Sequence, residues 1–171
     1  NAQETYSGYG VTSFNSDGFS VTDTTVYGVN KSDATYASWS WRKAPKFFDA
    51  VTYTGTGSQR TVSHNLGSEV GFLVVKETSG ADAWHCFHRS LGANKHVRLN
   101  TTNAEIATTQ FPVVPTTTEF TVSGDSGVNG NGSTYVAYLF AHNDGDGEFG
   151  PDSDQDIIKC GSFSVNGSYE A

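Results

Sequence analysis

The chain has 171 residues, a net charge of -8, 16% charged and 13% aromatic residues, 19 glycines, two cysteines and no methionine. The acidic balance leaves no Lys/Arg stripe to neutralise phosphates, which argues against nucleic-acid binding. The longest apolar run, Gly71-Phe72-Leu73-Val74-Val75, is far too short to span a bilayer.

Taken in chain order, residues 1–10 read as an arm carrying Tyr6, Gly8 and Tyr9. Strand signals then follow in quick succession. Thr35 to Trp41 alternates, with Ala37, Trp39 and Trp41 on one face and Tyr36, Ser38 and Ser40 on the other. Phe47 to Thr54 is a β-branched and aromatic run closed by Gly55-Thr56-Gly57-Ser58. Arg60 to His64 is a short strand ending in the turn Asn65-Leu66-Gly67. Gly71 to Glu77 reads as the most buried strand. Ala83 to His88 and Lys95 to Asn100 form a pair joined through Leu91-Gly92-Ala93-Asn94. Thr102 to Thr108 is the one helix-like stretch, a single turn. Pro112 and Pro115 mark an irregular connection before the strand Glu119 to Ser123. The last strand, Tyr135 to Ala141, puts Val136, Tyr138 and Phe140 on its expected core face. It is apolar on both faces, as a central strand is. Many short strands with almost no helix predict an all-β, antiparallel β-sandwich.

The chain also repeats itself. Val29-Asn30 and Thr35 to Trp41 recur without a gap as Val128-Asn129 and Thr134 to Phe140. Upstream, Phe19-Ser20-Val21 matches Phe120-Thr121-Val122. Downstream, Phe47 to Ser58 matches Ile157 to Ser168. The unit is about 100–110 residues long, a usual domain size. The predicted organisation is an arm over 1–10, the second half of a preceding repeat over 11–46, a complete β-sandwich repeat over 47–156 and the start of a following repeat over 157–171. Such phasing is natural in an array or polymer of modules. With neither a leader pattern nor an initiator Met, the expectation is a processed chain or part of a longer one.

The most conspicuous chemistry lies between the last strand and Ile157. Six carboxylates, Asp144, Asp146, Glu148, Asp152, Asp154 and Asp156, fall within thirteen residues. Their alternate spacing on a glycine-rich loop suits calcium, which takes six to eight hard oxygens. The opposing expectation is a solvated acidic linker. Elsewhere, His85 and His88 point to opposite faces of a strand and cannot chelate one metal together. Ser90 beside His88 lacks a nucleophile elbow and an orienting carboxylate, so the chain is read as non-enzymatic. His64-Asn65 is read as turn chemistry. Trp84, Tyr6, Tyr9 and Tyr27 are the candidates for a sugar-stacking platform, whereas Trp39 and Trp41 fall on a predicted core face. Asn30, Asn100, Asn131 and Asn166 begin glycosylation-acceptor patterns, weak evidence in a chain rich in Gly, Ser and Thr. Cys86 and Cys160 fit no zinc spacing. They read as two buried thiols, with one disulfide as the alternative.

Ser38-Trp39-Ser40-Trp41-Arg42-Lys43, Phe48 to Gly57, Ser63 to Gly67, Val74-Val75-Lys76, Trp84, His88-Arg89-Ser90-Leu91, Leu99-Asn100, Tyr135 to Ala141, the acidic loop and Ile157 to Ser162 together carry a resemblance. From about Val11 onward the chain resembles an uncharacterised repeat domain of virion proteins of tailed phages of aquatic bacteria. Such domains often lie in tail-fibre-like chains beside lectin-like sandwiches. The resemblance implies a structural or adhesive role at an extracellular or virion location, with no enzymatic residues to carry over. The expected partners are copies of the chain itself, joined head to tail by strand complementation. The alternative is a host-surface glycan bound by an adhesin module. Neither nucleic acid nor membrane is an expected partner.

Overall fold

The computed structural model describes residues 10–22 and 29–165. Tyr6, Tyr9, Tyr27 and Asn166 lie outside the described residues. The chain divides into two compact units between Trp41 and Arg42.

In the first unit, β1 (Val11–Phe14) and β2 (Phe19–Val21) form an antiparallel hairpin with a register shift between Val11 and Ser13. Asn15 makes the turn. Its backbone N–H donates to the Gly18 carbonyl at 2.8 Å and its side chain bonds both Ser13 and Ser20. The predicted strand at Thr35 to Trp41 is not formed: residues 34–43 carry no strand. Nor do its tryptophans form a core face, since Trp39 is 75% and Trp41 51% exposed. Alternation gives a segment two faces, but it becomes a strand only beside another strand.

The second unit holds β3 (Phe48–Thr54), β4 (Arg60–Ser63), β5 (Val70–Glu77), β6 (Trp84–His88), β7 (Lys95–Arg98), β8 (Ile106–Ala107), β9 (Glu119–Val122), the single turn α1 (Ser126–Asn129) and β10 (Thr134–Ala141). Six strands form one sheet in the order β3-β10-β5-β6-β7-β8, and β4 pairs with β9 in a second. Every pairing is antiparallel. Val62, Phe120 and Val122 of the small sheet pack into one core with Leu73, Val75, Phe87, Ala137 and Leu139 of the large one. The fold is therefore all-β with two layers, as the sequence predicts. Each fully buried Leu, Phe or Val contributes about 1.5–3 kcal/mol.

Two predicted details are corrected. Thr102 to Thr108 contains no helix; Ile106–Ala107 instead pairs with Lys95 and His96. A stretch this rich in threonine gains more from a ladder partner than from an isolated turn. Among the described residues the one helical turn lies at Ser126–Asn129, where Asp125 caps it by accepting the Gly127 N–H at 2.8 Å. The faces of β10 are also reversed. Tyr135, Ala137, Leu139 and Ala141 point into the core, while Val136, Tyr138 and Phe140 are only half-buried. The hydroxyls decide this. Tyr135 and Tyr53 stack with centroids 5.1 Å apart, and each donates to an α1 carbonyl, Ser126 and Val128 respectively, at 2.5 Å. On the other face aromatic rings meet at a tilt, Phe48 with Phe140 at 5.0 Å and Phe72 with Phe140 at 6.1 Å.

Loop closure centres on Asn129, which is fully buried. Its Oδ1 accepts the Thr56 N–H, and its Nδ2 donates to the Ser58 and Ser123 carbonyls at 2.7 and 2.8 Å. Gly55 is required beside it, because a Cβ there would collide with the Gly130 carbonyl. Asn129→Ala leaves one amide and two carbonyls without these partners. It is expected to destabilise the fold by about 2–4 kcal/mol, read as a lower urea midpoint with an unchanged m-value.

Candidate assembly edge and acidic loop

The acidic segment is an organised loop. Asn143, fully buried, closes its base: Nδ2 donates to the Lys46 carbonyl at 2.9 Å, and Oδ1 accepts the Ile157 and Ile158 N–H groups. Phe149 and Gln155 exchange backbone hydrogen bonds at 3.1 and 2.9 Å. Asp156 turns inward and accepts the N–H groups of Gly145 and Gly147, so its carboxyl sits below the usual range. Asp146 is lowered too, by the Asp144 N–H and the Ser68 hydroxyl. Glu148 pairs with Lys46 at 2.6 Å, and Lys159 reaches Asp144 and Asp156, each at 3.4 Å. Asp152 and Asp154 are exposed. The loop's own amides and two lysines thus offset charge that the sequence reading assigned to calcium. Among the described residues, no three His, Cys, Asp or Glu side chains gather to hold a metal ion.

Beyond the loop the chain leaves the body along one edge. The Ile158 carbonyl accepts the Asn143 N–H at 2.9 Å, and the Cys160 N–H donates to His142 Nδ1 at 3.0 Å. Ile158 and Cys160 are half-buried, and the Cys160 sulfur lies against Gly71, where a Cβ would meet it. Lys159 and residues 161–165 are exposed and carry no strand; Phe163 is 89% and Val165 84% exposed. Among the described residues, two segments with a strand pattern, 35–41 and 157–165, carry exposed apolar side chains. Scattered single apolar residues need no explanation, whereas segments with a strand pattern do.

The chain belongs to the family described as a domain of unknown function, DUF7483. The match spans residues 1–168. No curated protein matches the chain. No solved structure matches it either.

Within this DUF7483 chain, the remaining predicted positions scatter. Trp84 is half-buried on β6, and its N–H donates to Asn100 Oδ1 at 3.1 Å, which occupies that acceptor side chain. Asn30 and Asn131 are exposed. His88 Nδ1 accepts the backbone N–H of Ser90 rather than its hydroxyl. His64 Nδ1 accepts the Leu66 N–H, as turn chemistry requires. Cys86 and Cys160 are both free thiols, and burial pushes Cys86 up to about 11. No helix among the described residues is long and apolar enough to cross a membrane.

Sequence reasoning missed one polar cluster. His85 on β6 and His96 on β7 are fully buried with ring centroids 5.0 Å apart, beside Asp82, Arg98 and Asp125. Thr108 bonds His96 Nδ1 at 3.0 Å, whereas both nitrogens of His85 are buried without a hydrogen bond. The β6·β7 pair was legible in the sequence; the register that brings these rings together was not. Burial lowers both pKa values, His96 to about 4, and Arg98 lowers them further while Asp125 opposes. Burial also lowers His64. These groups are depressed below the value of about 6.5 for the unfolded chain, which binds protons first as pH falls. Stability is therefore full above about pH 6.5 and declines toward about pH 4. Thermal midpoints across that range are expected to fall. His85→Phe, which removes the buried imidazole and its 3.6 Å contact with Asp82, is expected to flatten the decline.

Proposed function

We propose that this domain is a non-enzymatic structural module of an extracellular or virion fibre, assembling head to tail by strand addition. One observation carries the reading. Thr35 to Trp41 has the residue pattern of the central strand β10, and Ile157 to Val165 that of its neighbour β3, yet neither segment is a strand in the single chain. A strand-patterned segment outside a sheet gains stability when another chain supplies its neighbour. A head-to-tail contact whose rotation does not close into a ring propagates as a filament. The resemblance to virion repeat domains supports the same reading. Negative-stain microscopy and sedimentation of the native protein are expected to show filaments or an array that grows with concentration. A monodisperse monomer at every concentration overturns it.

Calcium enters this proposal as a stiffener of the junction. The ion would have to draw Asp156 away from the Gly145 and Gly147 amides and Asp144 from Lys159. The expected result is a thermal midpoint that rises with added calcium, reverses with a chelator and loses its response in Asp152→Asn with Asp154→Asn. An unchanged midpoint assigns the loop's order to its amides and lysines alone.

The glycan-binding alternative has one observation in its favour: Trp39, expected in a core, is 75% exposed. A glycan array run with calcium present tests it, and binding abolished by Trp39→Ala would favour it over assembly.

A further inference from the structure

We infer that segment 35–40 of one copy pairs antiparallel with segment 159–164 of a second copy, in the register that places Trp39 opposite Cys160. This rests on the assembly reading above and gives it a register.

The template is the β10·β3 pair within the second unit. There Thr134 faces Thr54, Tyr135 faces Tyr53, Tyr138 faces Ala50 and Leu139 faces Asp49. The gapless matches of 35–41 to 134–140 and of 157–168 to 47–58 carry that register over. They set Thr35 against Ser164, Tyr36 against Phe163, Ala37 against Ser162, Trp39 against Cys160 and Ser40 against Lys159. The chemistry survives at three rungs although the identities do not; at Ser40–Lys159, which stands for Leu139–Asp49, it changes. Hydroxyl meets hydroxyl, aromatic meets aromatic, and a large ring meets a small side chain at the same rungs. Cross-strand pairs are the unit of sheet stabilisation, so conserved pair chemistry speaks to pairing where single residues do not.

The backbone edge agrees. In the template, Phe48 sends both its N–H and its carbonyl to Ala44, at 3.1 and 3.0 Å, away from β10. Phe48 and Phe140 thus form a non-hydrogen-bonded rung, and by alternation so do Ala50 and Tyr138. Ile158 stands in the place of Phe48. Its N–H and carbonyl likewise go to the body, to Asn143, and the Cys160 N–H goes to His142. With strand alternation, the next residues, Lys159 and Gly161, would point their backbone groups to the opposite edge. Neither has a backbone hydrogen bond among the described residues. That is the edge an incoming strand needs, with the alternation the template requires. Both segments are described and neither is a strand; the pairing is assigned to a second copy.

The register makes Trp39–Cys160 and Thr35–Ser164 non-hydrogen-bonded rungs, whose Cα separation of about 4.5 Å admits a disulfide. Trp39→Cys under a mild oxidant is expected to give a reducible ladder of dimers and higher species, abolished by adding Cys160→Ser. Ala37→Cys, which reports a two-residue slip, is expected to give at least tenfold less. Should Trp39→Cys itself impair assembly, Thr35→Cys with Ser164→Cys in a Cys160→Ser background tests the same register and is expected to give the same ladder. If microscopy shows filaments but neither pair gives a ladder, or if Ala37→Cys ladders best, the register is wrong and the assembly reading stands. A cross-link closing within the monomer overturns the second copy as the occupant. If no particles form and no ladder appears, both readings fail together.

Discussion

Strand β10 has to satisfy two neighbours at once, and the rest of the second unit follows from how it does so. It lies between β3 and β5, seven rungs to one side and seven to the other. Leu139 fixes the row that runs from Asp49 through Leu73 to Phe87, and Tyr135 joins Tyr53 to Glu77. A slip by one residue would turn every inward side chain outward. The two tyrosines resist that slip, because their hydroxyls fit only the α1 carbonyls above them. Burial alone could not set the register, since both faces of β10 are apolar; two directional hydrogen bonds can.

The same strand shows what the sequence could and could not disclose. Element type was legible where β-branched and aromatic residues cluster, as at Phe48–Thr54, Val70–Glu77 and Glu119–Val122. The faces of β10 were not. Ring size was taken to mark the core, yet the decisive atoms were the phenol oxygens of Tyr135 and Tyr53, whose carbonyl partners lie 9 and 75 residues away in sequence. The single helical turn was hidden because four residues hold no period, although Asp125 before Ser126-Gly127 is the cap signal that could have found it. The failure at Thr35–Trp41 differs in kind. Its pattern is a strand's; a ladder partner is what a pattern cannot contain.

In the acidic loop, composition leaves out the backbone. Six carboxylates in thirteen residues suggest either an ion or repulsion. What composition hides is that glycine-rich turns expose their amides. Gly145 and Gly147 both aim theirs at Asp156, and a Cβ on Gly147 would strike the Gln155 carbonyl, so only glycine permits the approach. Asn143, outside the acidic run by one residue, then seals the base. The loop's order comes from its least conspicuous members, and the exposed Asp152 and Asp154 are left as surface charge.

That order has a mechanical consequence for the edge beyond it. Asn143 and His142 hold the backbone of Ile158 and Cys160 to the body, so the edge starts from a fixed direction instead of swinging on a linker. A swinging edge would give up conformational entropy of about 1–2 kcal/mol for each residue ordered on association. An edge anchored at its root gives up less, and it presents one register in preference to several. Exposed edges invite unselective aggregation, and charged side chains are the usual guard. Here Lys159 stands at the anchored start of the edge, and a net charge of -8 keeps copies apart at long range. Charge discourages random contact, while the proposed rungs would reward one alignment. Under the proposed assembly, a module that meets its own kind in a single way needs both.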